Sequence, residues 1–334
     1  MVVRIKKIIA ALLAIILLSS IFTRISAIHD DTHVGDAEGE AIARMTRGFE
    51  NFEQSIDLSG LNIPISSLTT LFAHATKNLP YLFYVDKTLV YTYKNDIAIH
   101  VRPKYNMTRV EADEAVGFCR GEIAKMADIV RAGECELERV ILAHDLICFR
   151  YKYDLSLESN NIYTFIKEGK GTCQGYTWTY MALLREIGIE CEYVASDSIN
   201  HIWLRVKIDG EWYNSDPTWD DPVGNEGGNV SISRRHILFS DIKADADGYV
   251  DRYSASQNQC VSKKYDGADL SRVVDPAHEF GDVNHDGEVG LMDLVNVAQG
   301  RGVCPICFDV DGDLLHTEND IDSLRELILT KWRE

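Results

Sequence analysis

Gly169-Lys170-Gly171-Thr172-Cys173-Gln174-Gly175-Tyr176 opens a run of helical periodicity that continues to Ile187 and stops at Gly188. A cysteine at the start of that helix sits where unpaired backbone N–H groups favour an anion, and a thiol attacks carbonyl carbon only as the thiolate. Downstream, Glu190 to Ala195, His201 to Ile208 and Glu211 to Ser215 alternate or run apolar as strands do, and Asp209-Gly210 between the last two is a hairpin signal. An antiparallel hairpin brings His201, at the start of one strand, beside Asp216, at the end of the next. The helix carrying Cys173 then faces that edge, which predicts an α+β fold with a helix packed on an antiparallel sheet. In this arrangement Cys173 is the candidate nucleophile. His201 would take the thiol proton and return it to the leaving group, while Asp216 fixes the imidazole tautomer and stabilises the imidazolium.

Around this core the pattern is mixed. Ala37 to Ile56 and Ile65 to Asn78 have helical periodicity, and Leu82 to Val85, Thr88 to Lys94 and Ile97 to Val101 read as strands, giving a mixed α/β region over 28–134. Thr108 to Arg131 and Glu136 to Tyr151 predict two helices, the first with a capping box of Thr108 and Glu111. His144-Asp145 is a competing catalytic-looking pair, but neighbours on one helix point in different directions, so it reads as structural. Trp178, Trp203, Trp212 and Trp219 read as core or groove wall, with Trp219 close enough to Asp216 to line a cleft. The backbone N–H of Cys173, or Tyr163, is the expected oxyanion donor.

Composition narrows the class. At 334 residues and 46% hydrophobic content, the chain can bury a sizeable core plus an appendage. Basic Met1 to Lys7, apolar Ile8 to Phe22 and Thr23-Arg24-Ile25-Ser26-Ala27 predict a signal peptide over 1–27, cleaved after Ala27, and a secreted product without a membrane span. The apolar run is short of the roughly 20 residues a spanning helix needs. A net charge of -18 argues against a nucleic-acid partner. The eight cysteines have no small-scaffold spacing and read mostly as buried hydrophobes. For the close pair Cys304 and Cys307, a local disulfide or plain packing is preferred to a zinc site.

The C-terminal segment repeats an acidic spacing. Asp282, Asn284, Asp286, Gly287, Glu288 and Asp293 fit positions 1, 3, 5, 6, 7 and 12 of a calcium loop, and Asp309, Asp311, Asp313, Leu315 and Asp320 repeat it, with Glu288 and Leu315 offering backbone carbonyls. Each loop precedes an apolar-periodic stretch, so a duplicated loop-helix unit with two structural Ca2+ ions is expected. Gly290 stands at position 9 of the first loop, and Leu314 replaces the turn glycine of the second. Asp241 to Glu279 is polar and reads as a covering loop followed by a linker. The implied partition is a core over 135–245, covering loop and linker over 246–279, and a small helical module over 280–334.

Four blocks in order resemble the bacterial transglutaminase-like core: Gly169 to Tyr176, Gly188 to Val194, Asn200-His201-Ile202-Trp203, and Trp212 to Asp220. The resemblance covers roughly Asp145 to Ser240 and implies a papain-like fold with Cys173, His201 and Asp216 in the active site and no cofactor for catalysis. Ile28 to Glu134 resembles the accessory segment ahead of such cores in secreted bacterial proteins. Gly281 to Trp332, with Asp at position 12 and no helix before the first loop, resembles a type I dockerin, which implies a cohesin domain of a cellulosome scaffoldin as partner. Positions 10 and 11, which commonly face the cohesin, are Leu291-Met292 and Glu318-Asn319, and their unlike chemistry predicts one binding orientation through the first repeat. Together these imply a secreted, cellulosome-associated cysteine enzyme acting on peptide or isopeptide bonds through a thioester on Cys173, with hydrolysis preferred. A protein-glutamine acyltransferase, or a noncatalytic peptide-binding module on a scaffold, are the alternatives.

Overall fold

The computed structural model describes residues 36–156, 159–221, 230–254, 258–299 and 304–331, so the segment 1–27, expected to be a signal peptide, lies outside the described residues. Helix α1 (Asp36–Glu50), strand β1 (Ile56–Asp57), helix α2 (Leu68–Lys77) and strands β2 (Tyr91–Lys94) and β3 (Ile97–Val101) form an N-terminal unit. Its antiparallel sheet has the order β1-β3-β2. Met45, Phe49, Leu58, Leu68 and Phe72 give it a core of its own. Two expectations fail here. The first helix ends at Glu50 because Phe52 turns left-handed (φ 57) to stack against Tyr84 and Tyr105. Leu82 to Val85 is a pair of tight turns, with Leu82 N–H donating to Leu79 O and Val85 N–H to Leu82 O. A strand needs a neighbour, and this segment has only the single bridge from Val85 to Tyr105.

Helix α3 (Arg109–Val130) begins with the expected capping box. Its Ala112 packs in the N-terminal core, whereas Cys119, Ile123, Met126 and Ala127 belong to the main core. A boundary at Glu134 therefore falls after a helix that the main core already shares. The main core continues with α4 (Glu136–Arg150), β4 (Lys152–Tyr153), α5 (Ile162–Glu168), β5 (Lys170–Gly171), α6 (Cys173–Glu186), β6 (Cys191–Ser196), β7 (His201–Ile208), β8 (Glu211–Ser215) and α7 (Pro217–Asp220). Then come β9 (Val230–Ser231), α8 (Asp241–Ala246), β10 (Tyr253–Ser254), β11 (Ala277–His278), α9 (Leu291–Ala298) and α10 (Glu318–Lys331). The main sheet is antiparallel with the order β10-β6-β7-β8, and α6 lies against it. Asp209 and Gly210 both take positive φ (52 and 83), the backbone of a two-residue hairpin turn.

The expected linker is packed. Tyr249 and Cys260 are fully buried, Tyr265 and Leu270 join the main core, and β11 pairs with β9. Its apolar residues are isolated among polar ones without a period, which hid their burial from the sequence. The C-terminal module shares the main core through Val283, Leu314, Leu324 and Ile328. Phe149 meets Phe280 at 4.6 Å, while Arg150 donates to Asp309 (2.7 Å) and to the Gly312 carbonyl (2.8 Å). All eight cysteines are free, so the disulfide reading of Cys304 and Cys307 is overturned: both are buried facing His278 and His285. Among the described residues no helix is long and apolar enough to cross a membrane.

Candidate active site

Cys173 is the first residue of α6, with Thr172 as the N-cap, so its backbone N–H has no partner within the helix. The strand β5 and the segment behind it set this helix end in place: Thr172 N–H donates to Ser159 O, and a methyl group added at Gly171 would lie 2.5 Å from the Phe165 ring. At Gly175 the same ring would be 2.4 Å away. The two glycines of the motif thus let Phe165 close beneath the helix N-terminus.

Across from it the β7–β8 hairpin, in register at Leu204 and Ser215, carries His201 and Asp216 to one edge of the sheet. His201 Nε2 and Asp216 Oδ2 are 2.6 Å apart, and the Cys173 thiol is among the groups that act on the imidazole. With Nε2 committed to the carboxylate, Nδ1 is the nitrogen left for sulfur. Burial opposes the imidazolium, but the Asp216 charge and hydrogen bond and the thiol outweigh it, pushing the His201 pKa up to about 10. Cys173 itself is half-buried, whereas His201 and Asp216 are buried.

Asp216 is saturated. Oδ1 accepts from Thr218 N–H (3.0 Å) as the cap of α7, and Oδ2 also accepts from the Tyr249 hydroxyl (2.8 Å). Tyr249 lies in the segment expected to be a linker, and no local pattern in the sequence announces it. The His201 ring is sandwiched by Trp219 (5.0 Å, 14°) and Trp203 (5.8 Å, 18°), and Trp203 Nε1 is held by Asn214 at 3.0 Å. Trp219 remains 39% exposed, which places an aromatic wall beside the reactive nitrogen.

Tyr163 is engaged elsewhere than expected: it lies on α5, its ring packs on Phe83 and Phe118, and its hydroxyl accepts from Lys167. The helix-end N–H of Cys173 is the better-placed oxyanion donor. His144 and Asp145 do meet, at 3.1 Å, contrary to the expectation for adjacent helical residues. They belong to a buried network apart from Cys173: His144 Nε2 faces Asp220 (3.3 Å), Asp220 holds His236 (3.0 Å), and Asp145 pairs with Arg234 and His278.

The C-terminal loops share a set of backbone-to-carboxylate bonds. Val283 and Gly290 donate to Asp293 as Val310 and Thr317 donate to Asp320, and Gly287 and Leu314 donate to Asp282 and Asp309 (3.0 Å each). The left-handed pair His285 and Gly287 (φ 54 and 86) recurs as Gly312 and Leu314 (φ 77 and 66). Leu314 therefore adopts the turn that a glycine would take freely, at roughly 1–2 kcal/mol of backbone cost. Asp282, Asp286 and Asp293 bring carboxylate oxygens within 4.8 Å of one another, and so do Asp309, Asp311 and Asp313. Burial raises the Asp282 and Asp309 carboxyls, with further like-charge repulsion from Asp293 and Asp320. Hard oxygen donors in such a ring fit calcium. The Asn284 amide oxygen accepts from Asp286 N–H (2.9 Å) while its Nδ2 donates to Asp286 Oδ2 (3.0 Å), and Glu288 and Leu315 stand where a loop carbonyl would turn inward. The second loop differs in that Arg150 already compensates Asp309.

The profile of the Transglutaminase-like superfamily matches residues 124–217, a stretch that ends just past Asp216. Among solved structures, one described as a TGase is 14% identical over 46% of this chain and 50% of its own, with a TM-score of 0.30. A candidate cysteine protease of Cytophaga hutchinsonii is 15% identical over 39% of this chain and 61% of its own, with a TM-score of 0.25. A candidate protease of Parabacteroides distasonis is 14% identical over 39% and 35% of the two chains, with a TM-score of 0.25. This chain thus covers less than two thirds of each of these three. Among curated proteins none matches the chain.

Proposed function

We infer that the transglutaminase-like domain of this chain works as a cysteine enzyme that hydrolyses peptide or isopeptide amide bonds through a thioester on Cys173. The observation carrying this reading is the alignment of a half-exposed thiol at a helix N-terminus with the buried His201–Asp216 pair. The Cys173 thiolate adds to the amide carbon, and the helix-end N–H groups steady the oxyanion. His201 gives its Nδ1 proton to the leaving amine as the C–N bond breaks, which leaves a thioester and a neutral imidazole. Water loses a proton to His201 and adds to the thioester carbon. The C–S bond then breaks, releasing the acid and restoring the thiolate and imidazolium. The exposed edge of Trp219 beside His201 supports access for water over a closed amine tunnel.

We further propose that residues 280–334 act as a type I dockerin: the loops bind Ca2+, and a secreted enzyme is thereby carried on a cohesin of a cellulosome scaffoldin. The apolar edge of Leu291, Met292 and Val295, exposed to 55%, 60% and 43%, supports docking through the first repeat. Arg150 and Lys125 tie the second loop to the core, which supports the single orientation. Calcium would hold Asp282, Asn284, Asp286, the Glu288 carbonyl and Asp293 in the first loop, and Asp309, Asp311, Asp313, the Leu315 carbonyl and Asp320 in the second.

The test is mass spectrometry of the chain incubated with a peptide library, with and without a primary amine, against Cys173→Ala. Cleavage that needs Cys173 supports hydrolysis, amine incorporation supports the transferase, and peptide capture without turnover supports a binding module. Calcium chelation should abolish capture on a cohesin column while sparing peptide cleavage; docking that persists in chelator would overturn the dockerin reading.

A further inference from the structure

His278, His285, Cys304 and Cys307 converge from three segments, and one ligating atom from each lies within 4.8 Å of the others. His278 Nδ1 is 3.3 Å from Cys304 Sγ and 3.6 Å from Cys307 Sγ, and His285 Nε2 is 3.4 Å from Cys307 Sγ. A zinc ion with Zn–S near 2.3 Å and Zn–N near 2.05 Å has tetrahedral edges of about 3.4–3.8 Å, so these separations are those of a ligand shell. We propose that these four side chains form a structural zinc site that clamps the C-terminal module onto the core.

Two independent features support a metal over a polar cluster. Both histidines present one ring nitrogen to the sulfurs and the other to a carboxylate: His278 Nε2 is 3.2 Å from Asp145 Oδ2, and His285 Nδ1 is 3.5 Å from Asp275 Oδ2. Carboxylates behind ligating imidazoles fix the tautomer and raise ligand basicity, the usual surroundings of histidine-bound zinc. The Cys-x-x-Cys segment folds back on itself, with Cys307 N–H donating to Cys304 Sγ at 3.1 Å, a bond that stabilises a thiolate. The sulfurs are also free and buried, and neither is bonded to the other. Two thiolates and two neutral imidazoles suit zinc among common metals. Binding expels one proton from each thiol and gives a neutral, closed four-ligand complex with no open position for chemistry.

The placement says what the site does. Asp145 belongs to α4 of the main core, His278 to β11, and His285 lies inside the first acidic loop, between Asn284 and Asp286. Cys307 is two residues before Asp309, which opens the second loop. One ion would therefore fix both loops and the core together, independently of what Cys173 does.

The experiment uses the full chain. Elemental analysis of the purified protein is expected to give one zinc per chain. Cobalt added to the metal-free protein is expected to give an intense sulfur-to-cobalt charge-transfer band with tetrahedral visible absorption, undiminished in Cys173→Ala. Asp275 is partly exposed, so Asp275→Asn should fold, and it should weaken cobalt affinity about 10-fold. Cys304→Ser/Cys307→Ser should lose the band, and if that variant fails to fold, the wild-type titration and Asp275→Asn decide. A folded wild-type chain that gives no charge-transfer band overturns the site. So does a band lost with Cys173→Ala, or a purified chain lighter by two hydrogens with Cys304 joined to Cys307.

Discussion

Among the described residues, and apart from the cluster of His278, His285, Cys304 and Cys307, cysteine, histidine and aspartate come together at two places in the main core. At one place Cys173 faces His201, which is held by Asp216. At the other Cys148 Sγ lies 4.0 Å from His144 Nε2, and His144 is held by Asp145 and Asp220. The residue types match, and the settings are opposite. Cys173 opens its helix and is half-exposed, whereas Cys148 lies in the last turn of α4, is fully enclosed and donates to the Pro217 carbonyl at 3.3 Å. Burial, more than the nearby His144 can offset, pushes the Cys148 thiol up to about 11. A helix C-terminus adds a dipole that disfavours an anion there. Cys135 supplies a third case, an exposed cysteine capping α4 with no histidine hydrogen-bonded to it among the described residues. Helix end, imidazole and access must coincide, and among these three they do so only at Cys173.

The contrast is sharpest in turnover. Cys173→Ala should lower kcat/KM on a cleaved peptide by at least about 10,000-fold, since the members of such a unit act together. Cys148→Ala should change it less than about 10-fold, and the reverse order would break the comparison. The aspartates should separate next. Asp216→Ala is expected to cost about 100- to 10,000-fold in kcat/KM through the lost acid–base pair. Asp220→Ala should instead act on stability: His144 is held well above its ordinary range against burial by Cys148, Asp145 and Asp220, and removing one anion strands a buried charge. The expected loss is about 3–5 kcal/mol in denaturant unfolding.

The smallest effect is a shift in pH dependence. With the His201 pKa pushed up to about 10, kcat/KM should fall on the alkaline side as that proton is lost. The same group stabilises the fold fully below its unfolded pKa of about 6.5, and that contribution disappears as pH rises through about 10. Asp216→Asn should move the alkaline limb downward, and an unmoved limb would assign it to another group.

What was legible in the sequence had local signals. The Cys173 helix start, the Gly188 stop and the Asp209-Gly210 turn each depend on a few adjacent residues, so the hairpin that delivers His201 to Asp216 could be drawn from them. The two loops were legible because their acidic spacing repeats. Tyr249 was not, because its bond to Asp216 spans 33 residues and its flanks have no period. Leu82 to Val85 misled because apolar content marks burial without saying whether a neighbouring strand exists. The histidines beside Cys304 and Cys307 come from 26 and 22 residues away and through folded loops, which spacing alone does not reveal.

The most direct measurement is the rate at which each cysteine of the native chain reacts with iodoacetamide at mildly acidic pH, mapped by peptide mass. Cys173 should be alkylated at least about 100-fold faster than exposed Cys135, and Cys148 should stay unmodified. Cys135 reacting as fast as Cys173 would contradict the account, because the helix end, His201 and Asp216 would then confer nothing on the thiol they surround.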